Sequence, residues 1–153
     1  LLNRLPKDKL SAGNFSARLR MSLLYYYAAV HNLLVLGTAD KSELMIGYFT
    51  KFGDAGADMF PIGELYKSQV RLLAKELQLP DEIIRQPSSP RFWKVQLAER
   101  EIGLSYEDID KILDSYRKQN LNHCKLNKKK IKLVTDMINK SQHKKEKAPV
   151  CKY

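Results

Sequence analysis

Between Gly37 and Asp58 the chain reads GTADKSELMIGYFTKFGDAGAD, and its polar side chains are of types that could do chemistry: Thr38, Asp40, Lys41, Glu43, Lys51, Asp54 and Asp58. Just before it, Leu33-Leu34-Val35-Leu36 is a continuous apolar run that stops at Gly37. Such a run reads as a buried parallel strand that delivers polar groups to its carboxyl end. Open α/β sheets bind their ligands there. A carboxylate one helical turn past the strand can hold a metal ion, and a lysine further on can meet phosphate. On the residues alone, a strand–turn–helix with ordinary surface charges is the competing reading.

The elements that must position these groups are mostly helical. Phe15, Leu19, Leu23, Tyr26 and Val30 recur at helical spacing, so residues 14–31 read as a helix with one apolar stripe, Asn14 serving as its cap. A short helix is expected over 42–48, and a second strand over Met59-Phe60-Pro61-Ile62 at a sheet edge, where proline is tolerated. Tyr66, Val70, Leu73 and Leu77 line a helix over 64–77 that Pro80 ends, with a further helical turn over 81–85. Ser105 and Asp108 cap an amphipathic helix carrying Ile109, Ile112, Leu113 and Tyr116. A last helix over 127–140 sets Ile131, Val134 and Ile138 on one face and lysines on the others, and the final dozen residues are expected to be loose unless a ligand or neighbour orders them.

A chain of 153 residues is about one domain's worth, and its 44% hydrophobic content is enough for a core. No apolar run approaches the ~20 residues of a membrane span. Cys124 and Cys151 form neither a metal-ligand pair nor a disulfide framework, which points to a cytoplasmic protein. The net charge of +10 is uneven: residues 1–116 hold 15 basic and 15 acidic side chains, whereas residues 117–153 hold 12 and 2. The division expected is an α/β core over 1–116 and a lysine-rich helical tail of the same domain over 117–153. The chain opens without Met and its first motif comes almost at once, which reads as the later part of a longer protein.

The segment from Gly37 to Asp58 resembles a Gly-Thr…Glu…Gly-Tyr/Phe-Phe-Thr-Lys-Tyr/Phe-Gly-Asp-Gly-Gly-x-Asp run of the ammonia-dependent NAD synthetases. The similarity continues in Gly13-Asn14-Phe15-Ser16-Ala17-Arg18-Leu19-Arg20-Met21, in Pro61-Ile62-Gly63-Glu64-Leu65-Tyr66-Lys67-Ser68-Gln69-Val70, in Leu104-Ser105-Tyr106-Glu107-Asp108-Ile109-Asp110 and in His143-Lys144. The resemblance implies an α/β, Rossmann-like nucleotide-binding fold with a parallel sheet, of which this portion is mostly helical with one or two short strands. It implies ATP-dependent amidation of deamido-NAD with ammonia, through an adenylated nicotinate carboxylate. Carried over by position, Thr38, Lys67 and Ser88 would bind ATP, and Glu43 would hold Mg²⁺. Arg18, Lys51, Asp58, His143 and Lys144 would bind deamido-NAD. It further implies a homodimer whose interface includes the helix of Arg18. Each residue has a plainer role open to it: Arg18 and Lys67 as exposed helix charges, Glu43 as a favourable first-turn charge, Asp54 and Asp58 as turn residues serving the backbone.

The sequence departs from the family pattern in three places. No two glycines are adjacent in the 153 residues, so the family's Ser-Gly-Gly-x-Asp-Ser phosphate loop is not among them. In the loop after Pro87, Trp93, Gln96, Glu99, Glu101 and Gly103 fit the pattern, but Val95, Leu97 and Ala98 replace Gly, Thr and Asp. Ala55 replaces a glycine in the Gly-Asp-Gly-Gly turn, where a positive φ would strain it. Two alternatives therefore stand beside the ligase: a degenerate relative that binds nucleotide without turnover, and a polyanion-binding module acting through the lysine-rich tail. The last is weakest, because the tail offers few aromatic side chains for bases to stack on.

Overall fold

Helices account for nearly all regular structure in residues 6–152, the part that this computed structural model describes. In chain order they are α1 (Lys9–His31), α2 (Lys41–Ile46), α3 (Lys67–Glu76), α4 (Asp81–Ile84), α5 (Ala98–Ile102), α6 (Tyr106–Arg117), α7 (Lys128–Lys140) and α8 (Gln142–Lys145), with a 3₁₀ turn at Leu121–His123. The core forms around α6. Tyr106, Ile109, Ile112 and Leu113 recur every three or four residues, fall on one face and are fully buried. Ile46 of α2, Ala98 and Ile102 of α5, and Val134 and Ile138 of α7 pack into the same cluster. The lysine-rich segment thus contributes core residues of its own. Ser105 caps α6 by accepting from the Asp108 amide at 3.3 Å, and Asn127 caps α7 by accepting from the Lys129 amide at 2.8 Å.

The first helix starts earlier than its apolar spacing suggests. Asp8, not Asn14, is its cap, and accepts from the Ser11 amide at 2.6 Å. Asn14 sits inside the helix, and its side chain accepts from the Thr50 hydroxyl at 2.7 Å. The face that α1 turns inward is made of Gly13, Ala17 and Ala28. Small residues allow the close approach this requires: a Cβ at Gly13 would lie 3.0 Å from the Phe92 ring. The expected stripe points the other way, with Leu19, Leu23, Tyr26 and Val30 between 50% and 64% exposed.

The expected strands reduce to one parallel bridge between Leu36 and Met59 among the described residues. It is made by the Gly37 amide donating to Met59 O at 2.8 Å and the Asp58 amide donating to Val35 O at 2.9 Å. It extends no further on the Met59 side because Pro61 has no N–H to donate, and the backbone turns there with Gly63 bonded back to Phe60. Asn32, in the left-handed region at φ 53, ends α1 and turns the chain into this segment.

Gly47 packs the end of α2 against the C-terminal segment. It closes α2 at φ +72, and a Cβ there would lie 2.0 Å from the Ser141 Cβ at the α7–α8 junction. Gly47→Ala therefore adds a clash to left-handed strain, and should destabilise the chain by more than about 1 kcal/mol in urea unfolding. Ser141→Gly in the same chain should recover the part due to the clash and leave the part due to φ.

Candidate functional site

The turn that follows the parallel bridge builds the site. Asp40 caps α2 and Glu43 completes the capping box: the Glu43 amide donates to Asp40 Oδ1 at 2.9 Å, and the Asp40 amide donates to Glu43 Oε2 at 3.1 Å. This reciprocal pair aims the other oxygen of each carboxylate at one point. Lys67, the first residue of α3, occupies that point, with Nζ 2.5 Å from Asp40 Oδ2 and 2.8 Å from Glu43 Oε1. The Tyr106 ring lies beneath the ammonium, 5.1 Å from its centroid.

Asp40 is completely buried, and the Glu43 and Lys67 side chains are each 16% exposed. Burial works against the Lys67 ammonium, but Glu43 and Asp40 outweigh it and hold its pKa above the usual lysine value. For Glu43 the balance falls the other way: burial and the neighbouring Asp40 raise its pKa despite Lys67. Two carboxylates face one ammonium, so with both ionised the cluster holds one negative charge in excess. Lys41 does not offset it, because its ammonium pairs with Glu64 at 2.9 Å.

Glu43 and Lys67 line a cleft of about 470 Å³ together with Thr38, Ser88, Arg20 and Asp54. All of the ATP- and metal-type residues expected from sequence thus meet in one cavity. Arg18, Lys51, His143 and Lys144 form a second group. Arg18 Nε donates to Lys51 O at 3.1 Å, and Lys51 Nζ donates to the backbone oxygen of His143. Lys144 Nζ donates to Gly47 O and Phe49 O, each at 2.8 Å. Lys144 lines an adjoining cleft of about 340 Å³, which shares Tyr48, Asp54, Pro90 and Phe92 with the first. Burial lowers the Lys144 pKa, against a smaller upward pull from Asp54. Asp58 stands apart from both cavities: its carboxylate accepts from the Val35 amide at 2.7 Å and the Tyr25 hydroxyl at 3.1 Å. Asp54 likewise serves its own turn, accepting from the Thr50 amide at 2.8 Å.

Asp40, in sequence only one of several polar groups in the turn, and Gln96 and Glu101, in sequence only members of the loop pattern, each hold a defined place here. The Asp40-x-x-Glu43 spacing could have flagged the first as half of a capping box. Glu101 accepts from the Tyr48 hydroxyl at 2.5 Å and from Gln96 Nε2 at 3.1 Å, anchoring the loop that ends at α5. Nothing in the linear spacing of these three residues signals that they meet.

Among the described residues no group of three or more His, Cys, Asp or Glu is arranged to hold a metal ion. A magnesium ion needs fewer protein ligands: it commonly takes one or two carboxylates and completes its shell with phosphate oxygens and water. Glu43 fits that limited part, since it faces the cleft and belongs to a cluster with unbalanced negative charge.

The altered loop carries visible strain. Val95 is 80% exposed at φ 60, and Arg91 is at φ 54. A β-branched residue in the left-handed region is a clear outlier. Ala55, in contrast, is not among the residues with positive φ, so its replacement of glycine carries none of the strain expected from sequence.

The sequence profile of the NAD synthase family matches residues 3–148, and the chain belongs to that family. An NH3-dependent NAD+ synthetase of Sulfurisphaera tokodaii is 49% identical over 143 residues, which are 90% of this chain and 51% of that protein. The chain therefore spans about half the length of the curated relatives it matches. A structure of NMN synthetase from Francisella tularensis superposes with a TM-score of 0.86 at 36% identity, covering 97% of this chain and 59% of that one. An NH3-dependent NAD synthetase from Campylobacter jejuni, in complex with nitrate, gives a TM-score of 0.79 at 32% identity over 98% of this chain and 58% of that one.

Two variants test this local account. Val95→Gly should stabilise the chain by about 1 kcal/mol in urea unfolding, because it removes the left-handed penalty at an exposed position. Glu43→Gln should raise Tm at neutral pH. The folded pKa of Glu43 lies above its unfolded value, so the wild-type chain is destabilised once pH exceeds the folded pKa. The gain from Gln should fade as pH falls below the usual carboxylate range, where wild-type Glu43 is protonated in both states. A scanning calorimetry series from about pH 3 to 8 reads the sign directly.

Proposed function

We propose that this chain provides the ATP-, metal- and deamido-NAD-handling part of an ammonia-dependent NAD synthetase. The nicotinate carboxylate attacks the α-phosphorus of ATP and pyrophosphate leaves. Ammonia then attacks the carbonyl carbon of the mixed anhydride, AMP leaves, and the amide of NAD results. A carboxylate is a poor electrophile, and this activation brings two polyanions together, so fixed cations have to offset the charge.

The observation that supports the reading is the meeting of Thr38, Glu43, Lys67 and Ser88 on one cleft. Lys67 has three N–H donors; Glu43 takes one, and Asp40 Oδ2 pairs with the ammonium as a charge at 2.5 Å, which leaves donor capacity for a phosphate oxygen. The Thr38 and Ser88 hydroxyls would donate to the same polyphosphate. Glu43 would hold Mg²⁺, which when bound neutralises phosphate charge. Lys144 would meet deamido-NAD in the adjoining cleft, and Arg18, Lys51 and His143, linked to one another beyond its lining, would meet the parts of the dinucleotide that extend from it. Asp58 would assist by fixing the Val35 backbone rather than by contact. The exposed stripe on α1 is the face through which two copies would pair into a homodimer. The two free cysteines suit a cytoplasmic location, and among the described residues no helix is long and apolar enough to cross a membrane.

Titration calorimetry on the 153-residue chain should register binding of both MgATP and deamido-NAD. Lys67→Ala should weaken MgATP at least about tenfold, since hydrogen bonds to charged groups are worth about 1.5–3 kcal/mol, and should spare deamido-NAD. Binding of neither would contradict the reading. Ammonium-dependent NAD formation separates a ligase from a chain that binds nucleotide without turnover. The likeness to a structure named NMN synthetase favours one variation, a mononucleotide substrate. Running the same titration with nicotinic acid mononucleotide decides between the two.

A further inference from the structure

The carboxylate of Asp110, buried in α6, does no work in the mechanism above, yet it reaches both elements that carry the cleft cluster. Its Oδ1 accepts from the Ser42 hydroxyl of α2 at 2.5 Å. Its Oδ2 accepts from the Ser68 amide of α3 at 2.8 Å. Ser42 Oγ in turn accepts from the Lys67 amide at 3.0 Å. Asp110 and Ser42 are 6% and 0% exposed. We propose that Asp110 is a positioning residue for the nucleotide cleft: with Ser42, it fixes the first turn of α3 against α2 and so sets Lys67 against Asp40 and Glu43.

The first four amides of a helix have no partner within it. In α3 the first two, from Lys67 and Ser68, are taken by this Ser42–Asp110 pair, and a carboxylate at that end is also favoured by the helix dipole. The acceptor is held rigidly, since Ile109 and Ile112 on either side of it are fully buried. Asp110 forms no ion pair among the described residues, so its charge rests on hydrogen bonds. A buried carboxylate held in this way is costly to place. Asparagine could not replace it without loss: Ser42 and Ser68 donate to different oxygens, so with its amide oxygen on the Ser68 amide its NH₂ would face Ser42, and the Ser42 hydroxyl could accept from it only by leaving its own hydrogen without this partner. Two acceptors on one small, rigid group are what the geometry demands. Sequence spacing hides the link, because Asp110 lies 42 residues beyond Ser68.

This inference rests on the nucleotide reading only for its ligand, MgATP. The test is a double-mutant cycle on the 153-residue chain: the MgATP dissociation constant for wild type, Asp110→Asn, Lys67→Ala and the double variant, measured well below Tm. Ile112→Val, in the same helix, controls for lost stability. Amide hydrogen exchange at Lys67 and Ser68 is recorded by NMR without nucleotide. Asp110→Asn should weaken MgATP about tenfold in the wild-type background and have no further effect once Lys67 is Ala, while Ile112→Val leaves affinity unchanged. Equal losses in both backgrounds, no loss in either, or the same loss from Ile112→Val would overturn it. If the wild-type chain binds no MgATP, the nucleotide reading fails and exchange decides the positioning claim by itself. Faster exchange at Lys67 and Ser68 in Asp110→Asn, relative to the Asp108 amide at the α6 cap, supports it, and unchanged exchange overturns it.

Discussion

One buried charge cluster governs this molecule. An ammonium largely removed from water is tolerable only when carboxylates surround it, and Asp40 and Glu43 do so at 2.5 and 2.8 Å from Lys67. Their own positions are not independent. The capping box that starts α2 fixes both carboxylates, and the Asp110–Ser42 pair fixes the first turn of α3, where Lys67 resides. The cluster therefore converts the packing of α2, α3 and α6 into the placement of three charges at the edge of a cleft. Under the proposed reading the negative charge left over would suit the site to a cation, which would in turn offset phosphate charge.

The C-terminal segment joins this core by a different device. The last carbonyls of a helix lack partners within it, and those near the end of α2 are met by lysines: Lys145 Nζ donates to Met45 O at 2.7 Å and Lys144 Nζ to Gly47 O at 2.8 Å. Cations at a helix C-terminus also meet its negative pole. With Gly47 pressed against Ser141, α8 is fastened to the far end of the helix whose near end carries Glu43. The two adjoining clefts share the segment that follows α2, through Tyr48 and Asp54, together with Pro90 and Phe92.

The parts of this arrangement that obey local rules were legible in the sequence. The amphipathic faces of α6 and α7 could be read from periodicity, and Pro80 does follow the end of α3. The grouping of Thr38, Glu43, Lys67 and Ser88 came from the resemblance, which carries order and spacing that composition alone does not. Other parts escaped for physical reasons. The stripe on α1 has the periodicity of a buried face but lies exposed, because periodicity identifies an apolar face without saying what covers it. The helix start at Asp8 was missed because small residues, not large ones, face inward along its first turns. Asp58 holds backbone, as the plainer of its two readings had it, but the amide it holds belongs to Val35, 23 residues away, which its position in the chain does not reveal. Asp110 belongs to the same class: its two partners lie 42 and 68 residues away.

The most direct test of the central claim is a crystal structure of the chain with Mg²⁺ and a non-hydrolysable ATP analogue. Phosphate oxygens are expected within hydrogen-bonding distance of Lys67 Nζ and of the Thr38 hydroxyl, with the metal on a Glu43 oxygen. A nucleotide bound elsewhere, with Lys67 still held only by Asp40 and Glu43, would contradict that claim.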